Sequence, residues 1–297
     1  MQTASRSIVY NTHSAANTPQ ITVKPGEVFV AETELCSGGW LKTIDDIFSP
    51  EKSSGTNPCV CIAVEGARPG DMLAVEILDI VPDSLGYTGF TSGAGWLPNK
   101  IMPEGIGSCA KTVRIEDGLI WWSDKLKLPI KPMIGVLGTA PDTEALYNSR
   151  GGPHGGNMDV QEVCAGATVY LPVAVDGALL HVGDVHAIQG DGEINGAGGV
   201  ECRAAVKLRV SIAKRLEHFG CVRIENADYI MTFACGRAAE DAFHSATEQL
   251  VRWMASDYGY TTRDAYLLLG QVMEARCTQY VNPTSSYVCK MPKKYLM

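Results

Sequence analysis

Residues 168–193 read TVYLPVAVDGALLHVGDVHAIQGDGE, and this stretch decides both the fold class and where to look for chemistry. Two apolar runs, Thr168–Val175 and Ala178–Val182, flank Asp176-Gly177. Asp-Gly is favoured in two-residue hairpin connections because it tolerates positive φ at both positions. The pattern predicts a β-hairpin whose second strand runs straight into Asp184 and His186. Alternate residues of a strand share a face, so these two side chains are expected to point into one space. A glycine-rich turn carrying Asp191 and Glu193 follows at once. Carboxylates and an imidazole aimed together are what a hard or borderline metal ion needs, or a proton-transfer pair.

Outward from that hairpin, glycine (31) and proline (15) cut the first two-thirds of the chain into short apolar runs. Val28–Val30, Val60–Val64, Met72–Ile80, Lys111–Ile115, Gly118–Trp122 and Met133–Leu137 all read as strands, with Pro69-Gly70-Asp71 as a turn. This is the pattern of a mainly β sandwich or barrel. A further strand, Cys202–Ile212, is expected beside the hairpin, which would bring Glu201 near His186. After about residue 215 the character changes. Residues 221–234 read as a last hairpin turning near Asn226-Ala227. From Glu240 the spacing of Phe243, Ala246, Leu250, Trp253 and Met254 is helical. A second helix starts at the Thr261/Asp264 capping box, with Ala265, Leu268, Leu269, Val272 and Met273 inward. Tyr280–Tyr287, with Asn282-Pro283 as its turn, reads as a closing strand pair. The expected organisation is a β-sandwich over residues 1–215 carrying the site, with a smaller α+β part over 216–297 packed on it.

Composition narrows the function. The balance of 25 basic against 33 acidic residues gives −8, which disfavours nucleic acid and anionic membranes as partners, since both need clustered Lys/Arg. No apolar stretch is long enough to span a bilayer, and the polar start, Met1–Asn11, has no signal-peptide pattern. The expected location is therefore the cytoplasm, with the ten cysteines as reduced thiols. No C-x-x-C pair exists, which argues against a Cys₄ zinc site. Strand edges and an apolar C-terminal helix pair lead to the expectation of a homo-oligomer, a dimer or higher.

A second polar segment, Gly151-Gly152-Pro153-His154-Gly155-Gly156-Asn157-Met158-Asp159, has the glycine density that lets a backbone approach a ligand. It presents His154, Asn157 and Asp159 from a shaped loop. Together with Tyr170-Leu171-Pro172-Val173 and Gly183–Glu193, this segment closely resembles the acetamidase/formamidase family. Val23-Lys24-Pro25-Gly26, Val64–Asp71, Pro132-Met133-Ile134-Gly135 and Gln279-Tyr280-Val281-Asn282-Pro283 agree in order, so the resemblance covers nearly the whole chain. It implies hydrolysis of short amides to carboxylate and ammonia, a CUB-like or jelly-roll sandwich with a smaller α+β part, an oligomer, and metal ions such as zinc or calcium. Where family members often carry an acidic residue, this chain has Leu35, just before Cys36.

Amide hydrolysis needs an activated water or nucleophile, an electrophile for the carbonyl oxygen and an acid for the leaving amine. A divalent metal on three protein ligands supplies the first two. Asp184 and His186 are the expected ligands, with Asp159 or Glu201 as the third. Glu193 is the expected general base and acid, Asn157 and Gln189 are expected to hold the carbonyl oxygen or the amide NH₂, and His154 is a further ligand or a proton shuttle. Zinc suits this set first, with calcium or manganese as alternatives. A Cys36 or Cys164 nucleophile is the competing mechanism; free cysteines are more often buried hydrophobes. A small lactam or another C–N compound is the alternative substrate. A sandwich that only grips a ligand through its metal is the alternative of a different class. Three carboxylates and two histidines crowding two loops, with no tryptophan near, favour the enzyme.

Overall fold

Two long strands form the spine of the molecule, and the computed structural model describes residues 1–90, 109–213 and 220–296 around them. The principal strands of the first part are β1 (Val28–Thr33), β2 (Cys59–Val64), β3 (Met72–Phe90), β4 (Cys109–Glu116), β5 (Met133–Thr139), β6 (Gly155–Asn157), β7 (Thr168–Pro172), β8 (Leu180–His186) and β9 (Ala197–Ala213). There follow β10 (Val222–Glu225), β11 (Tyr229–Gly236), the helices α1 (Ala239–Asp257) and α2 (Thr262–Val272), and the closing pair β12 (Glu274–Gln279) and β13 (Ser285–Pro292). The expected mainly β architecture is present as a large curled, chiefly antiparallel sheet with two helices.

β3 and β9 pair antiparallel from Gly89↔Ala197 to Met72↔Ala213, with register shifts between Ala197 and Glu201 and between Cys202 and Ala204. Bulges of this kind bend a strand and re-aim side chains, and these lie where the polar cluster described below is built. β1 covers the other edge of β9, Ala31 opposite Val206, and β8 continues that edge through His186↔Glu201. In β1, Phe29, Ala31 and Thr33 are buried and alternate with more exposed neighbours, the period-two signature of a strand with one buried face. Every residue of β5 and β8 is buried instead, so these strands have no solvent face. Phe29, Ile62, Leu73, Leu137, Val182 and Leu208 belong to the main core. Each aliphatic side chain so buried is worth about 1.5–3 kcal/mol.

The sequence-based hairpin at Asp176-Gly177 is not formed. β7 pairs with β3 and β10, whereas β8 pairs with β2, β5 and β9. The reason lies in the turn. Gly177, Ala178 and Leu179 all take positive φ (74°, 58° and 48°), and the turn docks on other segments: Gly177 donates to the Ala67 carbonyl, and Ala140 N–H donates to the carbonyls of Ala178 and Leu179. The chain therefore arches from one set of strands to another instead of folding back on itself. The other strand readings stand, including β10–β11 turning after Glu225 and β12–β13 on either side of Asn282-Pro283.

α1 buries Ala242, Ala246, Leu250, Trp253 and Met254 against a second core with Ile230, Leu269 and Met291. Phe243, read as inward, is only half-buried. Arg223 is buried beneath the same helix, its guanidinium 4.8 Å from the Trp253 ring centre and 3.7 Å from Asp257. The expected boundary between residues 215 and 216 falls outside the described residues. All ten cysteines are free thiols. Among the described residues no helix is long and apolar enough to cross a membrane.

The Thr261 hydroxyl caps α2 by accepting from Asp264 N–H at 3.0 Å. Thr261→Ala should lower the unfolding free energy by about 1 kcal/mol, whereas Thr261→Ser should be close to neutral. Denaturant midpoints of the two variants check this.

Candidate active site

Three adjacent strands lay down the first row of polar side chains. Tyr87 on β3 lies opposite Glu201 on β9, and Glu201 lies opposite His186 on β8. Asp184 joins them two residues before His186. The His186 Nε2 atom is 3.2 Å from Glu201 Oε2 and 3.5 Å from Asp184 Oδ1. Asp184 and His186 do converge, but not by regular alternation. Asp184 holds φ at 56° in mid-strand, while pairing with β5 keeps its register on either side (Ile134↔Val185, Val136↔Gly183).

The loops close over this row. Met158 and Asp159 N–H groups both donate to the Gly135 carbonyl (2.9 and 3.2 Å), which docks the glycine-rich loop on β5. Gly135 leaves room for two carboxylates: a Cβ there would lie 2.7 Å from both Asp159 Oδ1 and Asp184 Oδ2. Glu193 reaches inward across Gly198, where a Cβ would collide with its side chain. Its loop is tied down by Gly192 N–H to Cys277 O (3.2 Å), Tyr280 N–H to Gly192 O (3.0 Å), and Arg276 Nε to Asp191 (2.9 Å). Asp159, Asp184 and Glu193 all take positive φ (50°, 56° and 43°), a region that non-glycine residues rarely occupy. Strain of this kind, of order 1–3 kcal/mol per residue, gathers at functional sites.

The result is a cluster in which the buried Asp159, His186 and Glu193 form one group of converging ligand atoms, and the half-buried Cys36 with the buried Asp184 and Glu201 forms another. Among the described residues no Lys or Arg pairs with any of its carboxyls; the ion pairs that reach Asp184 and Glu201 are those of His186. Burial, reinforced by Asp184, pushes the Asp159 carboxyl up to about 8. Burial also raises Glu201, to about 7, although the neighbouring His186 pulls it back. Glu193 is held well above the usual carboxylate range by burial and by Asp159. Burial opposes charge on His186, yet Glu201 and Asp184 outweigh it and raise its pKa above the ordinary value.

These groups fit a cation. Asp159 Oδ1 and Oδ2, Asp184 Oδ1, His186 Nε2, Glu193 Oε2 and Glu201 Oε2 are all buried without a hydrogen-bond partner, which is costly unless something fills the space between them. Gln189 fixes how His186 meets that space. Its NH₂ donates to the carbonyls of Asp159 (3.0 Å) and Thr278 (3.1 Å), so its Oε1 is left to accept from His186 Nδ1 at 2.7 Å. That bond assigns the Nδ1–H tautomer and turns the Nε2 lone pair inward, as in histidine metal ligands. Gln189 therefore orients His186, and its amide is committed to the protein instead of being free for substrate as the sequence suggested. Asn157 differs. Its Oδ1 accepts from Asn57 Nδ2 (3.0 Å), which also donates to Asp184 Oδ2 (2.9 Å), and its NH₂ has no partner among the described residues.

His154 does not join the cluster, contrary to both roles the sequence offered it. Its ring packs between Gly152 and Gly156 and meets His13 edge-on at 5.0 Å, while His13 tilts against His181 at 4.6 Å. This histidine stack faces Gly138, three residues along β5 from Gly135 and so roughly 10 Å away. Cys36, Tyr87 and Asn57 are the cluster members that sequence reading did not place. Each lies far along the chain from the glycine-rich motifs, and only Cys36 stood out at all. Cys164 is not part of the cluster.

The chain is similar over its length to proteins of known class. The profile of the acetamidase/formamidase family matches residues 2–150 and 149–295. An acetamidase of Mycolicibacterium smegmatis is 26% identical, with 84% of this chain and 82% of that protein covered. The crystal structure of an acetamidase from Bacillus halodurans superposes with a TM-score of 0.90 at 32% identity, covering 99% of this chain and 98% of that one. A recombinant predicted acetamidase/formamidase from the thermophile Thermoanaerobacter tengcongensis gives the same TM-score, 0.90, and the same identity, 32%, covering 99% of this chain and 96% of that one.

Burial holds His154 and His181 neutral down to about 4, below the ordinary value of 6.5. The unfolded chain takes up these protons first, so the stability they influence falls as pH drops from about 6.5 to about 4, by up to roughly 3 kcal/mol for each ring. His154→Gln should flatten the slope of unfolding free energy against pH in that window relative to the parent. Parallel slopes would contradict the burial of a neutral ring.

Proposed function

The chain belongs to the acetamidase/formamidase family, hydrolases acting on linear amides, and we propose that it cleaves the C–N bond of a short aliphatic amide in the cluster around His186. The observation that carries this reading is the set of converging buried donors, with His186 Nε2 turned into it by Gln189. We infer that His186, Asp184 and Glu201 hold a divalent ion, zinc first among the candidates. When bound, the ion would polarise the substrate carbonyl and lower the pKa of a water molecule.

The chain's own residues supply the remaining steps. Asp159 and Glu193 face each other, and burial keeps a proton on the pair near neutral pH. Between them they take the proton that the attacking water gives up and return one to the departing nitrogen, so that ammonia leaves neutral. A carboxyl tuned towards the working pH suits such a two-way transfer. The Asn157 NH₂ donates to the carbonyl oxygen as negative charge develops there, a contact worth roughly 10²–10³ in kcat in comparable sites. Gln189 positions His186, and Asn57 positions Asp184. The small exposure of every charged group in the cluster (6% or less) suits small substrates, because a bulky acyl group would have to displace the loops that close it.

Ammonia release from formamide and acetamide tests the activity, with a small lactam as comparison. Activity on the linear amides should disappear on thorough chelation and return with zinc. Turnover that survives complete metal removal contradicts the metal assignment, and release confined to the lactam contradicts the substrate class. Glu193→Gln should lower kcat by about 10²–10⁴-fold while leaving metal content unchanged.

A further inference from the structure

One donor of the cluster has no part in those roles. Cys36 follows β1 in Leu35-Cys36-Ser37-Gly38, where Gly38 takes φ of 89°. Leu35 anchors the turn in a small core with Leu41 and Tyr87. The sulfur is held from behind by a chain of hydroxyls: Trp40 Nε1 donates to Ser37 Oγ at 2.8 Å, Ser37 Oγ lies 2.6 Å from the Tyr87 hydroxyl, and that hydroxyl lies 2.9 Å from Cys36 Sγ. On its other side, Sγ, a carboxylate oxygen of Asp184 and one of Glu201 all lie within 4.8 Å of one another. Asp184 Oδ1, Glu201 Oε2 and His186 Nε2 are buried there without hydrogen-bond partners.

Two alternatives for the thiol are weaker. An inert packing cysteine has no reason to face two carboxylates. A nucleophilic thiolate would have to form beside two buried carboxyl groups, where a further negative charge is disfavoured. A cation reverses that cost, and the spacing suits one. Ligand atoms around a four-coordinate zinc stand roughly 3.3–3.8 Å apart, given metal–oxygen and metal–sulfur bonds of about 2.0–2.3 Å, so Cys36, Asp184 and Glu201 need close by only about an ångström, and His186 Nε2 already stands 3.5 Å from Asp184 and 3.2 Å from Glu201.

We propose that Cys36 is a ligand of the ion held by His186, Asp184 and Glu201, making the donor set sulfur, nitrogen and oxygen. The inference rests on the metal reading above and narrows it. Thiolate and imidazole donors select zinc, cobalt(II) or iron(II), whereas calcium and magnesium take oxygen sets. Binding displaces the thiol proton to solvent, and the Tyr87 hydroxyl is in place to donate to the ligated sulfur. In this arrangement Tyr87 is a positioning residue.

Cobalt(II) loading of the full chain tests this, read by absorption spectroscopy and metal analysis instead of turnover. The parent should bind one equivalent with a thiolate-to-cobalt charge-transfer band in the near ultraviolet. Cys36→Ser should lose that band and bind cobalt at least tenfold more weakly, while Cys59→Ser, at a buried thiol also near Asp184, should keep it. Unchanged thermal unfolding of Cys36→Ser, or failing that of Cys36→Ala, shows that the fold is kept. Stoichiometric cobalt without the band overturns the Cys36 assignment and leaves the metal reading standing. A band that persists in Cys36→Ser also overturns it. A parent protein that binds neither cobalt nor zinc instead overturns the metal reading on which the inference rests.

Discussion

Four carboxyl groups share a buried space with one imidazole, and the molecule brings no lysine or arginine to them among its described residues. Transferring a charged group out of water costs several kcal/mol unless it is paired. Here one histidine lies against both Asp184 and Glu201. Unaided, the cluster responds by holding protons, which is why Asp159 and Glu201 sit near 8 and 7. A bound cation answers the same imbalance. The positive φ at Asp159, Asp184 and Glu193, and the glycines at 135 and 198 that make way for their side chains, are the backbone's contribution to keeping the carboxyls together against their repulsion.

That constraint explains how the rest of the fold is used. The paired long strands β3 and β9 carry Tyr87 and Glu201 in register, and β8 brings His186 into the same row. Bulges in β9 beside Glu201 re-aim this part of the sheet. The C-terminal strands contribute through the carbonyl of Thr278 on Gln189, the carbonyl of Cys277 on Gly192, and Arg276 on Asp191 and Glu162. These contacts bind the Glu193 loop and the Asp159 loop to one support, so two loops on either side of β8 in the chain are held relative to each other by the distant C-terminal strands.

Much of this was legible in the sequence because it is local. Asp184, His186 and Glu193 fall within ten residues, Asp159 ends a glycine-rich segment, and the strand beginning near Glu201 follows at the distance a neighbouring strand requires. The Thr261 cap and the buried stripe of α1 were equally local. What the sequence hid depends on distant contacts. Asp176-Gly177 has the chemistry of a tight hairpin, but Ala67, Val64 and Ala140 claim its backbone groups and turn it into an arch. His154 and Gln189 have side chains suited to catalysis, yet glycine packing takes one into a histidine stack and two distant carbonyls commit the other. Cys36, Asn57 and Tyr87 carry no motif of their own, and only the register of β3 against β9 and the turn after β1 bring them to the carboxylates.

The direct test of the account is anomalous X-ray diffraction at the zinc absorption edge from crystals of the zinc-loaded protein. The account predicts one strong peak bounded by His186 Nε2, Asp184 and Glu201, with Gln189 Oε1 still accepting from His186 Nδ1. A peak held instead by the His13–His154–His181 stack, or a cluster without a peak at full zinc loading, would contradict it.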